Sequence, residues 1–309
     1  MKTFSRTIPF KALAATALIA FATQAPAQSE ASDVEKLRIA AVEALISAPP
    51  ERALPLARKV VEGNYSDELK EKALFVLSQI EDPEAQELIL ATARNSSGDL
   101  QEEAIRMIGI GGNPDTMAQL RSLFAEGDED VRDAVLEAYV IADDEESVYQ
   151  IALETQDEEA FAQAVEALGV MGAHDKLRQL RDQAISTGGE ASEALIEAYA
   201  ISGDLESLRA LALETSDPKQ QKQAIEGLGI IGSEQADAAL VEIYRSAANE
   251  DVREAAIEGL MISGNDTAML ELYRASNDAS EKRMLLEYLV NMGSEEVWQV
   301  IDQALEGDE

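Results

Sequence analysis

Hydrophobic residues recur at intervals of three and four along nearly the whole chain, the spacing that gives an α-helix one apolar face. These helical stretches alternate with short turns containing Gly, Asp or Asn, so that a first helix, a turn and a second helix repeat about every 30 residues. No stretch alternates apolar and polar residues in the way that a half-buried strand does. The pattern predicts an all-α protein built from helical hairpins.

The hairpins are related to one another in sequence. Asp-Val-Arg-Asp-Ala at 130–134 reappears as Asp-Val-Arg-Glu-Ala at 251–255. Two further motifs, an aliphatic-Gly-x-x-Gly motif and Glu-Ala-Tyr, each recur after 60 residues, which indicates that the repeated unit is a pair of hairpins. The first occurs at 108–112, 168–172 and 228–232, and the second at 137–139 and 197–199.

Nine hairpins account for the chain from residue 33 to residue 309, and we expect them to form one continuous domain. Their first helices are predicted to begin near Asp33, Tyr65, Asp99, Asp130, Glu159, Glu190, Lys219, Asp251 and Glu281.

These motifs resemble HEAT repeats, in particular the short type found in phycobilisome lyases. The Asp-Val-Arg-x-Ala motif, the aliphatic-Gly-x-x-Gly motif and a Leu-rich second helix carry the resemblance, which extends from Asp33 to the C-terminus. It implies an α-solenoid with a right-handed superhelix of about nine repeats. Solenoids of this class serve mainly as extended recognition surfaces, so the resemblance indicates architecture better than it indicates function.

The N-terminal segment has the features of a secretory signal peptide. Basic residues precede an apolar run over 12–22, which is too short to span a bilayer as an anchor. Small residues at 25–27 then predict cleavage before Gln28. We therefore expect residues 1–27 to be a cleaved signal peptide, residues 28–32 to be a short flexible N-terminus, and the protein to be periplasmic or secreted, with no transmembrane segment after cleavage.

The chain is strongly acidic, with 60 Asp and Glu against 25 Lys and Arg and a net charge of −35. This charge disfavours binding to nucleic acid or to anionic lipid. It is consistent either with a solvated surface that suits salty surroundings or with attraction of a cationic partner, and the composition leaves both open.

Candidate catalytic residues are few. The chain has no Cys, which excludes thiol catalysis and Cys-ligated zinc, and His174 is its only histidine. Iron hydroxylases built from HEAT repeats hold metal through several His-Glu pairs, whereas Asp175 follows this histidine. Acidic clusters such as 128–130 lack the calcium-loop pattern. The sequence therefore predicts no enzyme activity, metal or cofactor, and a structural turn position for His174.

A candidate binding surface lies on the last second helices, which we expect to line the concave side of the solenoid. Tyr244-Arg245 and Tyr273-Arg274 occupy equivalent places in consecutive hairpins, and Trp298 follows on the next second helix. Stacked together they would form an aromatic and cationic ladder able to contact a peptide or protein. The alternative is that one tyrosine per hairpin fills the gap between layers.

Several other residues have structural interpretations. Pro50, Pro83 and Pro114 are expected to begin second helices. Asp130 and Asp251 are expected to cap first helices, and ion pairing is favoured over anion binding for the basic stretch Lys176, Arg178 and Arg181. The first helices are expected to end on a left-handed glycine. These glycines are Gly112, Gly172, Gly203, Gly232, Gly264 and Gly293.

The sequence thus predicts a non-catalytic protein- or peptide-binding scaffold in the bacterial periplasm. Two alternatives remain. One is a lyase-like enzyme or enzyme accessory of the HEAT type that binds a small molecule in a pocket among the second helices. The other is an acidic structural protein of the envelope.

Overall fold

A computed structural model describes residues 33–187 and 189–306 of the chain. Every regular element within those ranges is helical and none is a strand, which confirms the all-α prediction. None of the helices there is both long and apolar enough to cross a bilayer. The predicted signal peptide, 1–27, and the predicted N-terminal segment, 28–32, lie outside the described residues.

The described helices form nine consecutive hairpins, each with a first helix and a second helix, as the sequence predicts. A 3-10 turn, Ala44–Ser47, lies within the first hairpin, and the second helix of the third hairpin is divided in two. In chain order the pairs are α1 (Asp33–Glu43) with α2 (Pro50–Val61), α3 (Asp67–Ser78) with α4 (Pro83–Asn95), α5 (Asp99–Gly111) with α6 (Pro114–Met117) and α7 (Leu120–Glu126), α8 (Glu129–Ile141) with α9 (Glu145–Glu154), α10 (Glu158–Met171) with α11 (His174–Thr187), α12 (Gly189–Ser202) with α13 (Leu205–Glu214), α14 (Pro218–Ile231) with α15 (Glu234–Ser246), α16 (Glu250–Ser263) with α17 (Asp266–Ala275), and α18 (Ala279–Met292) with α19 (Glu295–Glu306).

The ends of the first helices confirm the predicted glycine turns. All six predicted glycines have φ between +55° and +77°, a left-handed conformation that a residue without a Cβ adopts at low cost. In the fourth hairpin Asp143 takes the same place, with φ of +56°. The chain reverses there into the second helix. Pro50, Pro83 and Pro114 each occupy the first turn of a second helix, as predicted.

The predicted caps of two first helices were wrong by two residues. Asp128, not Asp130, caps α8, because its carboxylate accepts a hydrogen bond from the backbone N–H of Val131. In α16 the cap is Asn249, whose side chain accepts from the N–H of Asp251. Asp130 and Asp251 therefore lie inside the first turn, where their negative charge still interacts favourably with the helix dipole.

First helices of neighbouring hairpins pack side by side, and in alternate pairs their backbones touch. A Cβ added to Gly109 in α5 would lie 2.5 Å from the backbone oxygen of Ala138 in α8. Gly169 in α10 meets Ala198 in α12 in the same way, at 2.7 Å from its Cα. Gly229 of α14 repeats the contact against α16. This close approach gives the 60-residue sequence period a structural meaning, because each unit consists of two first helices joined through a glycine.

The hydrophobic core is continuous through the stack of hairpins. In the second to the eighth hairpin, the second helix packs against its own first helix and also against the first helix of the next hairpin. Tyr139 and Tyr199, equivalent residues of α8 and α12, are fully buried. Their hydroxyl groups donate to the backbone oxygens of Met117 and Leu177, at 3.2 and 3.4 Å. Each of these two buried tyrosines thus joins two successive hairpins.

Candidate functional site

The predicted ladder of aromatic and cationic side chains is only partly exposed. Tyr244 of α15 and Tyr273 of α17 are each 4% exposed, so their rings cannot offer a stacking surface. The Tyr244 hydroxyl donates to the carboxylate of Glu281, and the Lys282 ammonium lies 5.1 Å from the centre of the Tyr273 ring. These tyrosines fill the space between hairpins, which is the structural alternative that the sequence left open.

The other three predicted members remain accessible. Arg245 and Arg274 are exposed, and Trp298 of α19 is 48% exposed. Without the two rings between them, these residues do not form a continuous ladder. That they contact a partner stays a prediction.

A more regular surface lies on the first helices. Six consecutive first helices carry an aliphatic residue at one equivalent position, two residues before the left-handed turn. Five of these side chains are isoleucines between 39% and 57% exposed, and the sixth, Val170, is partly exposed. We call this set the aliphatic row. It consists of Ile110, Ile141, Val170, Ile201, Ile230 and Ile262.

A row of carboxylates runs beside the aliphatic row. In α8, α10, α12, α14 and α16 a glutamate precedes the row's aliphatic residue by four positions, which places the two side chains on one helix face about 5–6 Å apart. We call these glutamates the carboxylate row, and the two rows together the first-helix face. The carboxylate row consists of Glu137, Glu166, Glu197, Glu226 and Glu258.

Ion pairs form at the two ends of the carboxylate row but not in its middle, among the described residues. Arg106 lies 3.2 Å from Glu137, and Lys222 lies 3.0 Å from Glu258. Within the part of the chain that the structure describes, the three central glutamates form no ion pair. These are Glu166, Glu197 and Glu226.

Crowding of carboxylates on this side of the molecule raises several pKa values. Partial burial and the neighbouring charge of Glu197 raise the pKa of Glu166 above its ordinary value. In α8, partial burial and repulsion from Glu129 and Asp130 raise the pKa of Asp133 to about 6. A cation placed over the first-helix face would relieve this repulsion.

A sequence model of HEAT repeats matches residues 58–140 and 201–261. Each range includes both first helices of one double hairpin, α5 and α8 in the first range and α14 and α16 in the second. The chain therefore contains HEAT repeats. No sequence among the curated proteins matches the chain.

Solved structures of HEAT-like architecture are similar to the chain at low sequence identity. One is the complex of CpcE and CpcF of phycocyanin lyase from Nostoc sp. PCC7120, at 17% identity and a TM-score of 0.36, covering 88% of this chain and 99% of that one. Another is human deoxyhypusine hydroxylase in complex with glycerol, at 15% identity and a TM-score of 0.32, covering 74% and 97%. Similarities this weak say nothing of what the present HEAT repeats bind.

The candidate catalytic and anion-binding residues of the HEAT stack have structural partners. The His174 ring lies 3.0 Å from the backbone oxygen of Ser202, at the start of α11. In the basic stretch, Lys176 pairs with Glu146. Arg178 and Arg181 pair with Asp204 and Glu214, at 3.0 and 3.7 Å. Ion pairing, the interpretation that the sequence favoured for this stretch, is confirmed.

Clefts in the HEAT stack are shallow. One of about 410 Å³ lies along α11 and α13 and is crossed by the Arg181–Glu214 pair. A second, of about 330 Å³, lies where the first helices of the last hairpins end, beside Met261 and Met292. Among the described residues no group of three or more His, Asp or Glu side chains is arranged to hold a metal ion.

The sequence contains a signal for the first-helix face, although the signal is not distinctive by itself. Five HEAT first helices contain Glu, three residues and then Ile or Val, at the point where the helix is about to end. Such an i, i+4 pair is also typical of any amphipathic helix, in which the aliphatic residue is expected to be buried. Only the stacking of the helices shows that these side chains are left at the surface.

Proposed function

We propose that this protein is a non-catalytic scaffold that works in the bacterial periplasm and holds a protein or peptide partner on its first-helix face. The predicted signal peptide supports export. The HEAT architecture supports a role in protein contact, since repeats of this kind present long surfaces rather than enclosed pockets.

The aliphatic row is the observation that carries this proposal. Single exposed aliphatic side chains are common on proteins and need no explanation. Here they occupy one position on six consecutive first helices, each packed on the next, so the row extends across the stack. An extended apolar surface with a polar border is typical of a protein contact site.

The proposal is tested by quantitative capture from the envelope fraction of the native cell. The wild-type protein is compared with a variant carrying Ile201→Gln and Ile230→Gln. The matched control carries Leu153→Gln and Leu213→Gln, which alter leucines of α9 and α13 that are 41% and 43% exposed. Mass spectrometry measures each retained protein.

Proteins retained by the wild type and the leucine variant but lost with the isoleucine variant are the expected result. Equal retention by all three proteins would place the contact elsewhere. A small molecule that co-purifies with every variant, in place of any protein, would favour the lyase-like alternative.

A further inference from the structure

The first-helix face presents apolar and negatively charged side chains in two neighbouring rows. The aliphatic row and the carboxylate row run side by side across α8, α10, α12, α14 and α16. On each helix the two side chains are one turn apart, so the rows stay parallel along the stack. A partner that fits both rows must itself have an apolar stripe beside a charged one.

The glutamates in the middle of the first-helix face indicate that the partner is positively charged. Glu166, Glu197 and Glu226 project from three consecutive first helices and form no ion pair among the described residues. Burial raises the pKa of Glu166 above its ordinary value, and the neighbouring negative charge of Glu197 raises it further. Among the described residues, ion pairs form at Glu137 and Glu258, and Lys222 acts on Glu226 at longer range. Lysine or arginine side chains of a partner would supply ion pairs to the three central glutamates.

The spacing of the rows suits a helix. Packed helices lie about 8–10 Å apart. Seven residues of an α-helix advance about 10.5 Å, so a helix laid across the first helices brings one heptad over each of them. Its aliphatic positions would face the aliphatic row and its basic positions the carboxylate row.

A second copy of this chain does not meet these requirements. Its net charge of −35 makes close approach of two such surfaces unfavourable. Its own first-helix face is acidic and so cannot neutralise the same row in a partner.

We propose that the first-helix face binds a basic amphipathic helical segment of a partner protein, with aliphatic side chains against Val170, Ile201 and Ile230 and Lys or Arg against Glu166, Glu197 and Glu226. This inference rests on the proposed scaffold function and names the chemistry of its partner.

The test uses the purified protein and a synthetic 21-residue peptide of three heptads, with Leu on one stripe and Lys on the neighbouring stripe. One control peptide has Ser in place of Leu, and a second has Glu in place of Lys. Binding is measured by fluorescence anisotropy at about 0.15 M NaCl, where long-range attraction is screened beyond about 8 Å.

Protein variants distinguish specific binding at the first-helix face from general attraction to an acidic surface. The test variant carries E166Q, E197Q and E226Q. The matched control removes the same number of charges from exposed glutamates of α4, α7 and α17, as Glu87→Gln, Glu126→Gln and Glu271→Gln. Thermal unfolding of each variant establishes that it is folded, and all of the changed glutamates are at least partly exposed.

We expect the Leu-Lys peptide to bind the wild-type protein, and the Glu166, Glu197 and Glu226 variant to bind it about tenfold more weakly, since three surface ion pairs together account for roughly 1.4 kcal/mol. The control variant is expected to change binding less than about twofold. The Ile201→Gln and Ile230→Gln protein should also weaken binding, and the Ser and Glu peptides should bind poorly.

The proposal is overturned if both triple variants lose affinity equally, because the attraction would then be non-specific. It is also overturned if the Ser peptide binds as well as the Leu peptide, or if no peptide binds. In that last case the scaffold function would still stand wherever the capture experiment finds a protein lost with the isoleucine variant. An increase in mass to that of a dimer without peptide would assign the face to a second copy instead.

Discussion

At the scale of single residues, the two fully buried tyrosines of the described residues, Tyr139 and Tyr199, link successive hairpins. Tyr139 and Tyr199 each place a hydroxyl on a backbone oxygen of the preceding hairpin, and burial raises the pKa of both to about 12, so both remain neutral donors at ordinary pH. The Glu-Ala-Tyr motif predicted that they are equivalent. It did not predict the bond between hairpins, because that depends on the stacking.

Substitution of either buried tyrosine by phenylalanine tests this bond. Tyr139→Phe and Tyr199→Phe should each lower the free energy of unfolding by about 1 kcal/mol, since a buried backbone oxygen loses its donor. The control is Tyr149→Phe, whose hydroxyl donates to Gln179 at the exposed surface. Urea unfolding that finds the same loss in all three variants would contradict a special role for the buried pair.

Asp133 provides a prediction of pH dependence. Its pKa in the folded protein, about 6, lies above its ordinary value of 3.8, so the folded state binds the proton more tightly than the unfolded state does. Its contribution to stability is therefore lost as pH rises from about 4 to about 6, and the loss is complete above that range.

Asp133→Asn should accordingly stabilise the protein at pH 7.5 and have little effect at pH 4. The expected gain is about 1 kcal/mol, a value reduced for solvent screening because the side chain is exposed. The amide oxygen can still accept the bond from Gln163. Equal effects at the two pH values, measured by chemical unfolding, would show that charge is not the cause.

At the scale of helices, two glycines of one helix have different surroundings. Gly109 and Gly111 lie two residues apart in α5, but a Cβ on Gly109 would overlap the backbone of Ala138, whereas one on Gly111 would lie 3.5 Å from Gln86. The sequence placed both glycines in one turn motif. Only the packing assigns the first to helix contact.

Gly109→Ala is expected to destabilise the protein by about 1–3 kcal/mol, because the helices must separate. Gly111→Ala should be neutral or stabilising by about 0.5 kcal/mol, since alanine is the better helix former. Thermal unfolding of both variants compares them directly. A stabilised Gly109→Ala protein would mean that α5 and α8 are not in close contact.

The sequence predicted elements better than surfaces. The nine hairpins, the glycine turns and the proline starts follow from local rules of helix formation, and the structure has them where those rules place them. The burial of Tyr244 and the exposure of Ile230 could not be predicted from local rules, because both depend on how each hairpin packs on the next. The aliphatic row on the first helices could not be predicted from the sequence for the same reason.

At the scale of the whole molecule, net charge opposes compactness. A chain with a charge of −35 repels itself at low ionic strength, and salt screens this repulsion with a Debye length of about 10 Å at 0.1 M. We expect the melting temperature to rise by roughly 2–4 °C between 0.02 and 0.3 M NaCl, if about 1 kcal/mol of repulsion is screened.

The same measurement on the Glu166, Glu197 and Glu226 variant should give a smaller rise, because part of the repulsion has been removed. A melting temperature that is independent of salt in the wild type would indicate that its charges are already balanced by ion pairs.

If the first-helix face is the binding surface, its isoleucine methyl groups change environment when a partner binds, and methyl NMR of the protein labelled at Ile and Leu measures that change. During titration with the Leu-Lys peptide or a captured partner, we expect the Ile201 and Ile230 methyl signals to shift. Leu153 and Leu213 should not shift, and neither should Ile225, which is fully buried. Shifts confined to the second-helix leucines, with the isoleucine signals unchanged, would show that the partner binds the second helices instead.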